Sequence, residues 1–510
     1  MKQGKWFLLG LGSLLLGSCG QLLSNAVSNP VTSAKTAEML SVQGVGAQNR
    51  YIIVFKSEQL PADAAQRVRQ AGGKPTKQLA SVGVMTAIGN AAFAQRLGRD
   101  SAVLSIGKEH LYTLPQLERA QAASVAGQGD VGARDQWDMR RIGAFSTAQR
   151  VGAARQQAVT VAVLDTGVMS DHPDLAGQVA YSVGTNYCQE TGKDGTTGYP
   201  VYSRLIDFDQ TPNFSGDSED CVSANATYEA HGTHVSGTIA AKVGGGDIVG
   251  VAPNVKIAGY KVFDRYRFTD AGKVYEGVGG FDGPIFAAIL DAASKKVAVL
   301  NMSLGGTLDR SNKDDNASWI AWSRVMKIAN QTGTLIVAAA GNSAENSNGT
   351  IAHIPSDVSS IMSVSATGVA SLRTDASGDL VAAGPDVMAF YSNFGASTDI
   401  SAPGGDCGTN PANGQSWCIG ANRANRPADW YKHLIYSSVI NETTGEATYD
   451  YYAGTSMASP HVAGVAALLK AVHPEYSPNQ LRSQLKNSAE NVGQQQQFGA
   501  GLVNALNAIR

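Results

Sequence analysis

A chain of 510 residues with 43% hydrophobic content is long for one domain and can bury a large core, so one large unit with a smaller one attached is expected. A formal net charge of -2, with 16% charged residues and no block of like charge, excludes nucleic acid as a partner. Its 57 glycines against 13 Phe and 6 Trp describe a turn-rich α/β protein, neither a helical bundle nor a disordered chain. The chain opens on Met1-Lys2-Gln3-Gly4-Lys5, an apolar run over 6–16 and then Gly17-Ser18-Cys19. Basic residues before a run too short to span a bilayer, and small ones after it, make residues 1–19 an export signal. Residues 20–49, rich in Ser, Ala, Thr and Asn without periodicity, read as a spacer. A strand over 51–55, a helix over 62–71, a strand over 82–88, a helix over 91–97 and a strand over 103–106 then predict a small α/β sandwich within 50–112.

Residues 113–135, with Ala, Gln and Gly concentrated over 116–135, read as an exposed linker. From residue 136 to 510, apolar runs at 159–164, 256–262, 297–304, 334–340 and 361–364 read as strands, with helices clearest at 285–293, 318–330, 456–472 and 479–488. The runs lack hydrophobic alternation, which implies burial on both faces and hence a mostly parallel sheet between helical layers, a three-layer αβα fold. Leu16-Gly17-Ser18-Cys19 also resembles the bacterial lipobox, which would lipidate Cys19. Export permits disulfides among the other four cysteines. Of the three connectivities, chain neighbours close the most local loops, so Cys188 is expected to pair with Cys221 and Cys407 with Cys418. Neither pair has the C-x-x-C spacing that zinc sites favour.

Three short motifs carry chemistry. Val161-Ala162-Val163-Leu164-Asp165-Thr166-Gly167 puts a carboxylate at the end of a buried strand, where open parallel sheets present functional residues. A second Asp-Thr-Gly, which an aspartic protease would need for its dyad, is absent. Glu229-Ala230-His231-Gly232-Thr233-His234 supplies an imidazole without the H-E-x-x-H pattern of a zinc site. Gly454-Thr455-Ser456-Met457-Ala458-Ser459-Pro460-His461 places a serine at the start of an apolar helix, whose positive end favours negative charge formed on attack. A hydroxyl needs an imidazole to take its proton and a carboxylate to orient that imidazole. The chain order Asp165, His231, Ser456 differs from the His, Asp, Ser of trypsin-like enzymes and the Ser, acid, His of α/β-hydrolases.

That order and those motifs resemble the subtilisin-like serine proteases, over nearly everything from Trp137 to Arg510. The resemblance implies a serine endopeptidase with Asp165, His231 and Ser456 as triad, while His234 packs under its helix. Asn342, in Ala338-Ala339-Ala340-Gly341-Asn342, resembles the family's oxyanion asparagine. Asn301-Met302-Ser303-Leu304-Gly305 resembles the substrate strand, with Ser303, Leu304 and Gly305 pairing to peptide backbone, and Gly280 in Gly279-Gly280-Phe281 as the looser opposing wall. His353, two residues before Pro355, is set near the floor of the specificity pocket. Tyr51-Ile52-Ile53-Val54-Phe55-Lys56 resembles the start of the inhibitor propeptides of such enzymes, which makes 50–112 a built-in inhibitor. Maturation cleavage is then expected between Tyr112 and Asp135.

No cofactor is required for this chemistry. Calcium is the family's usual structural ion, but the loop at 242–247 reads Lys-Val-Gly-Gly-Gly-Asp and lacks the asparagine often found there. Asp207, Asp209, Asp217, Glu219 and Asp220 form an acidic stretch that reads either as a calcium site or as solvated charge. The expected partners are protein or peptide substrates and the chain's own propeptide, with no nucleic acid and with membrane only through a lipid on Cys19. The enzyme is expected to be a secreted bacterial monomer.

Overall fold

The computed structural model describes residues 49–114, 118–121, 130–188, 202–211, 214, 221–270 and 272–510. The expected export signal with Cys19, nearly all of the expected spacer and parts of the expected linker lie outside the described residues. An eight-stranded sheet forms the centre, in the order Asp386–Met388, Ile361–Val369, Leu335–Ala339, Val299–Met302, Thr160–Asp165, Lys256–Lys261 and Val179–Gly184, with Ile400–Pro403 also on Ile361–Val369. Asp386–Met388 pairs antiparallel and the other pairings are parallel.

Successive strand side chains point to opposite faces, and both faces are buried. Val161, Val163, Leu335 and Val337 enter one core together with Val235, Ile239, Val462 and Leu468 from helices His231–Ala240 and Thr455–Val472. Ala162, Leu164, Ile336 and Ala338 enter the other with Phe286, Ile289, Trp322 and Val325 from helices Asp282–Ser294 and Lys313–Gln331. This is the three-layer αβα fold. Each Val, Leu or Ile fully buried in this way contributes roughly 1.5–3 kcal/mol, and the unbroken apolar runs follow from the two-sided burial.

The N-terminal unit is a four-stranded antiparallel sheet, Lys74–Leu79, Val84–Ile88, Arg50–Phe55 and Val103–Lys108 in that order, with helices Ala64–Gln70 and Ala91–Leu97. Lys74–Leu79 is an addition to the elements read from sequence. It is an edge strand with a proline and two lysines, half-buried or exposed along most of its length, so no apolar pattern marks it. In Arg50–Phe55, Tyr51, Ile53 and Phe55 face the unit's own helices, packing with Val68, Phe93 and Leu97. Ile52 and Val54 instead join the core of Trp322 and Phe286. The unit therefore borrows the helices of the main body as its second layer.

Polar contacts fix that docking. Arg324 Nη1 donates to the carbonyls of Phe55, Val82 and Ser57 at 2.9, 3.1 and 3.3 Å. At Gly107 the strand meets the start of helix Lys313–Gln331 so closely that a Cβ would lie 1.9 Å from the Asp314 carbonyl oxygen. A second mixed sheet, Val222–Tyr228, Tyr202–Asp207, Asp264–Asp270, Lys273–Phe281 and Leu111–Thr113, and a hairpin of Ile435–Ile440 with Ala447–Ala453 flank the C-terminal ends of the central strands. Disulfides join Cys188 to Cys221 beside the mixed sheet and Cys407 to Cys418 in the long segment before the hairpin.

Candidate active site

Asp165 closes the central strand Thr160–Asp165, and His231 opens helix His231–Ala240 beside it. His231 Nδ1 donates to Asp165 Oδ1 at 2.8 Å, and the same oxygen accepts the Thr166 N–H at 2.8 Å. The Gly232 N–H donates to Thr166 Oγ1 at 3.0 Å, tying the helix start to the strand end. Only glycine allows this approach, since a Cβ on residue 232 would sit 2.2 Å from the Gly167 carbonyl oxygen. Both side chains are buried, and His231 Nε2 has no hydrogen-bond partner. An orienting bond on Nδ1 fixes the tautomer with its lone pair on Nε2, the form required of a base.

Ser456 lies in the first turn of helix Thr455–Val472, where backbone N–H groups have no partner within the helix. Its hydroxyl donates to the Ser303 carbonyl at 3.2 Å. Ser303 Oγ in turn donates to the Ser456 carbonyl at 2.7 Å and lies 3.0 Å from Ser459 Oγ, while Asn301 Nδ2 donates to it at 2.9 Å. Asn342 follows strand Leu335–Ala339 and is held by its carbonyl end. Asn342 Oδ1 accepts from Thr455 N at 2.9 Å and from Thr455 Oγ1 at 2.7 Å, which turns its amino end toward other uses. Thr455 also accepts the Gly341 N–H at 3.1 Å, and Asn393 Oδ1 accepts the N–H groups of Ser343 and Glu345. Thr455 and Asn393 were not singled out from sequence, because nothing in a serine motif or an isolated asparagine says which amide loop it will brace.

The chain runs along this site on two sides. Leu111–Thr113 pairs antiparallel with Gly279, Gly280 and Phe281, and Tyr112 stands opposite Gly280. Glu118–Gln121 pairs antiparallel with Ala447–Ala453, the strand that runs through Gly454 and Thr455 into Ser456. Residues 303–305 make no backbone pair with either segment among the described residues, and the Ser303 side chain is committed to Ser456 and Ser459.

The subtilase family profile, Peptidase S8, matches residues 156–501, well over half of the sequence. The chain belongs to the subtilase family. This subtilase is a serine endopeptidase, acts on peptide substrates and needs no cofactor for its chemistry. It is 34% identical over 281 residues to alkaline elastase YaB of Bacillus sp. (strain YaB), a match covering 55% of each, so it spans about half the length of that relative. Subtilisin J of Geobacillus stearothermophilus is 25% identical over 483 residues, 92% of this chain and 94% of the relative. In fold it is similar to the epidermin leader peptide processing serine protease of Staphylococcus aureus, with a TM-score of 0.64 at 21% identity over 91% of this subtilase and 99% of the other chain.

Other histidines and carboxylates of the subtilase serve the frame. His234 Nε2 lies 3.0 Å from the Ile435 carbonyl and its ring stacks on Tyr452 at 4.5 Å; burial pushes its pKa down to about 3, so it is neutral. His353 lies in strand Ile351–Ile354 opposite Thr307, with Nε2 2.8 Å from Glu345 Oε2. Around the 242–247 loop and in the acidic stretch, the described carboxylates are engaged by protein donors. Asp247 accepts from Gly132 N and Tyr436 OH, and Gly244 N donates to Asp130, whose own N–H donates to the Gly246 carbonyl. Asp207 caps the N–H groups of Asp209 and Gln210, and Asp209 accepts the N–H and the hydroxyl of Thr269. Asp217, Glu219 and Asp220 lie outside the described residues, among which there is no cluster of three or more His, Cys, Asp or Glu able to hold a metal.

Proposed function

We propose that this subtilase is an exported endopeptidase, made as a self-inhibited precursor and matured by cutting its own chain. Ser456 attacks the scissile carbonyl while His231 Nε2 takes its proton, and Asp165 orients the ring and stabilises the imidazolium. The tetrahedral oxygen is received by Asn342 Nδ2 and the Ser456 N–H, donors already set in place and therefore without reorganisation cost. His231 then returns the proton to the leaving amine, and water, deprotonated by the same imidazole, releases the acyl group from Ser456. Two features support this assignment. The buried Nε2 of His231 has no competing partner, and the Ser456 bond to Ser303 O, at 3.2 Å, is long for O–H···O and easily exchanged for one to His231.

Substrate backbone is held by Gly280 on one wall and by Ser303, Leu304 and Gly305 on the other. The observation that carries the precursor reading is the strand pairing of Leu111–Thr113 to Gly279–Phe281 together with that of Glu118–Gln121 to the strand entering Ser456. A chain paired on both sides of the nucleophile occupies the groove as a substrate does. The cut, expected between Tyr112 and Asp135, then falls between Thr113 and Glu118, and 50–112 remains as the inhibitor. If Cys19 is lipidated, the anchor stays with the removed part and the mature monomer is released. Expression of the full chain and of Ser456→Ala tests this. The parent should shorten to a new N-terminus between those residues, and Ser456→Ala should stay uncut. A Ser456→Ala chain processed equally well without other proteases would refute self-maturation.

A further inference from the structure

The segment beyond the proposed cut carries an arginine that, though partly exposed, is held by two groups of the main body. In the register of Glu118–Gln121 on Ala447–Ala453, Arg119 stands opposite Tyr452. Its Nη1 donates to both oxygens of Glu442, at 3.2 and 3.3 Å, and its guanidinium carbon lies 4.6 Å from the centre of the Tyr452 ring. Asp450 adds negative charge near it. A carboxylate and an aromatic face are two independent means of recognising a planar cation, and here both act on one guanidinium.

The receiving groups are fixed from behind. Tyr452 is buried and stacked on His234 with the rings 3° from parallel. Glu442 lies in the turn of the hairpin and also accepts the N–H of Ala230, the residue before His231, at 3.4 Å. One side chain thus touches both the backbone beside the catalytic imidazole and the incoming chain.

We propose that Glu442 and Tyr452 form a subsite selecting a basic residue on the leaving-group side of the scissile bond, at the substrate position opposite Tyr452, with Arg119 its occupant in the precursor. The inference rests on the groove-occupying reading of 111–121 given above. It assigns to the hairpin, which lies in the long segment after Gly404, the task of selecting side chains C-terminal to the cut bond.

The mature enzyme is tested on two peptides copying residues 109–124, one with arginine at the position of Arg119 and one with glutamine, with products assigned by mass. An exposed ion pair and a cation–π contact together predict a kcat/KM ratio of about five to ten in favour of arginine at low salt, shrinking at about 0.5 M NaCl as the pair is screened. Glu442→Gln should bring the ratio close to the residual cation–π preference of about two, and Glu442→Lys should reverse it for a peptide with glutamate at that position. The ratio is internal to each variant, so it needs only an active fraction. Equal cleavage of the two peptides by the parent, or a ratio unchanged in Glu442→Gln, overturns the subsite while leaving the peptidase reading intact. Hydrolysis of neither peptide overturns both.

Discussion

Replacing His110 with glutamine should loosen the N-terminal unit strongly in mild acid and only weakly in alkali. His110 lies just before the strand Leu111–Thr113 and is buried against two helices of the main body. Its N–H donates to Asp282 Oδ2 at 2.9 Å, Nε2 lies 3.0 Å from Asp315 Oδ1, and Nδ1 lies 2.8 Å from Ser318 Oγ and 3.5 Å from Asp282 Oδ2. The Tyr112 ring stacks at 6.3 Å, and the Tyr112 hydroxyl donates to Asp282 Oδ1. Glu109, the adjoining carboxylate, is engaged by Arg50 at 2.8 Å and by the Gly283 N–H at 2.9 Å. Burial alone would lower the His110 pKa, but Asp282 and Asp315 together outweigh it and push it up to about 9. A folded-state value above the ordinary 6.5 means that the contribution is complete below about pH 6.5 and is lost as pH rises through about 9. The rise corresponds to on the order of 3 kcal/mol for the charged contact. The assay is urea unfolding of the uncut Ser456→Ala chain with and without His110→Gln. The substitution should cost on the order of 3 kcal/mol near pH 6 and about 1 kcal/mol, the worth of neutral hydrogen bonds, near pH 9.5. A cost that is constant with pH, or that grows with it, would refute the charged contact.

Asn342→Ala should lower kcat by about 100- to 1,000-fold, the size known for removing an oxyanion donor from subtilisin, with little change in KM in steady-state assays. Gly107→Ala places a methyl 1.9 Å from the Asp314 carbonyl oxygen, so the unit must back away from helix Lys313–Gln331; peptide hydrolysis by the freshly cut enzyme should then start without the lag set by inhibitor release. Serine pairs in place of Cys188 and Cys221, whose loop spans 33 residues, should cost about 4 kcal/mol, against about 3 for Cys407 and Cys418, separated by 11; thermal unfolding under non-reducing conditions would show the order.

The parts of the fold legible in the sequence are those buried on two sides. Thr160–Asp165 and Leu335–Ala339 are unbroken apolar runs because alternate side chains feed different cores, and both sit within about a residue of the expected runs at 159–164 and 334–340. Lys74–Leu79 was invisible because an edge strand half in water has no apolar face to display. The hairpin Ile435–Ile440 and Ala447–Ala453 is not legible in the sequence, since its aromatic and serine-rich strands match no motif. At the site, each proposed triad member comes from its own short motif, whereas the braces come from none. Thr455 meets Asn342 across 113 residues of sequence and Arg119 meets Glu442 across 323, contacts that only the closed fold creates.

The central claim is that Ser456, activated by His231 and Asp165, performs peptide hydrolysis. Purified parent and Ser456→Ala, each shown folded by circular dichroism and each freed of residues before the proposed cut by the same added protease, should be compared on one fluorogenic peptide. The parent should hydrolyse it with acyl-enzyme kinetics, and Ser456→Ala should retain at most about one part in 10⁶ of the parent kcat, the loss known for removing the nucleophile from subtilisin. Comparable turnover by the two proteins, or a folded parent with none, would contradict it.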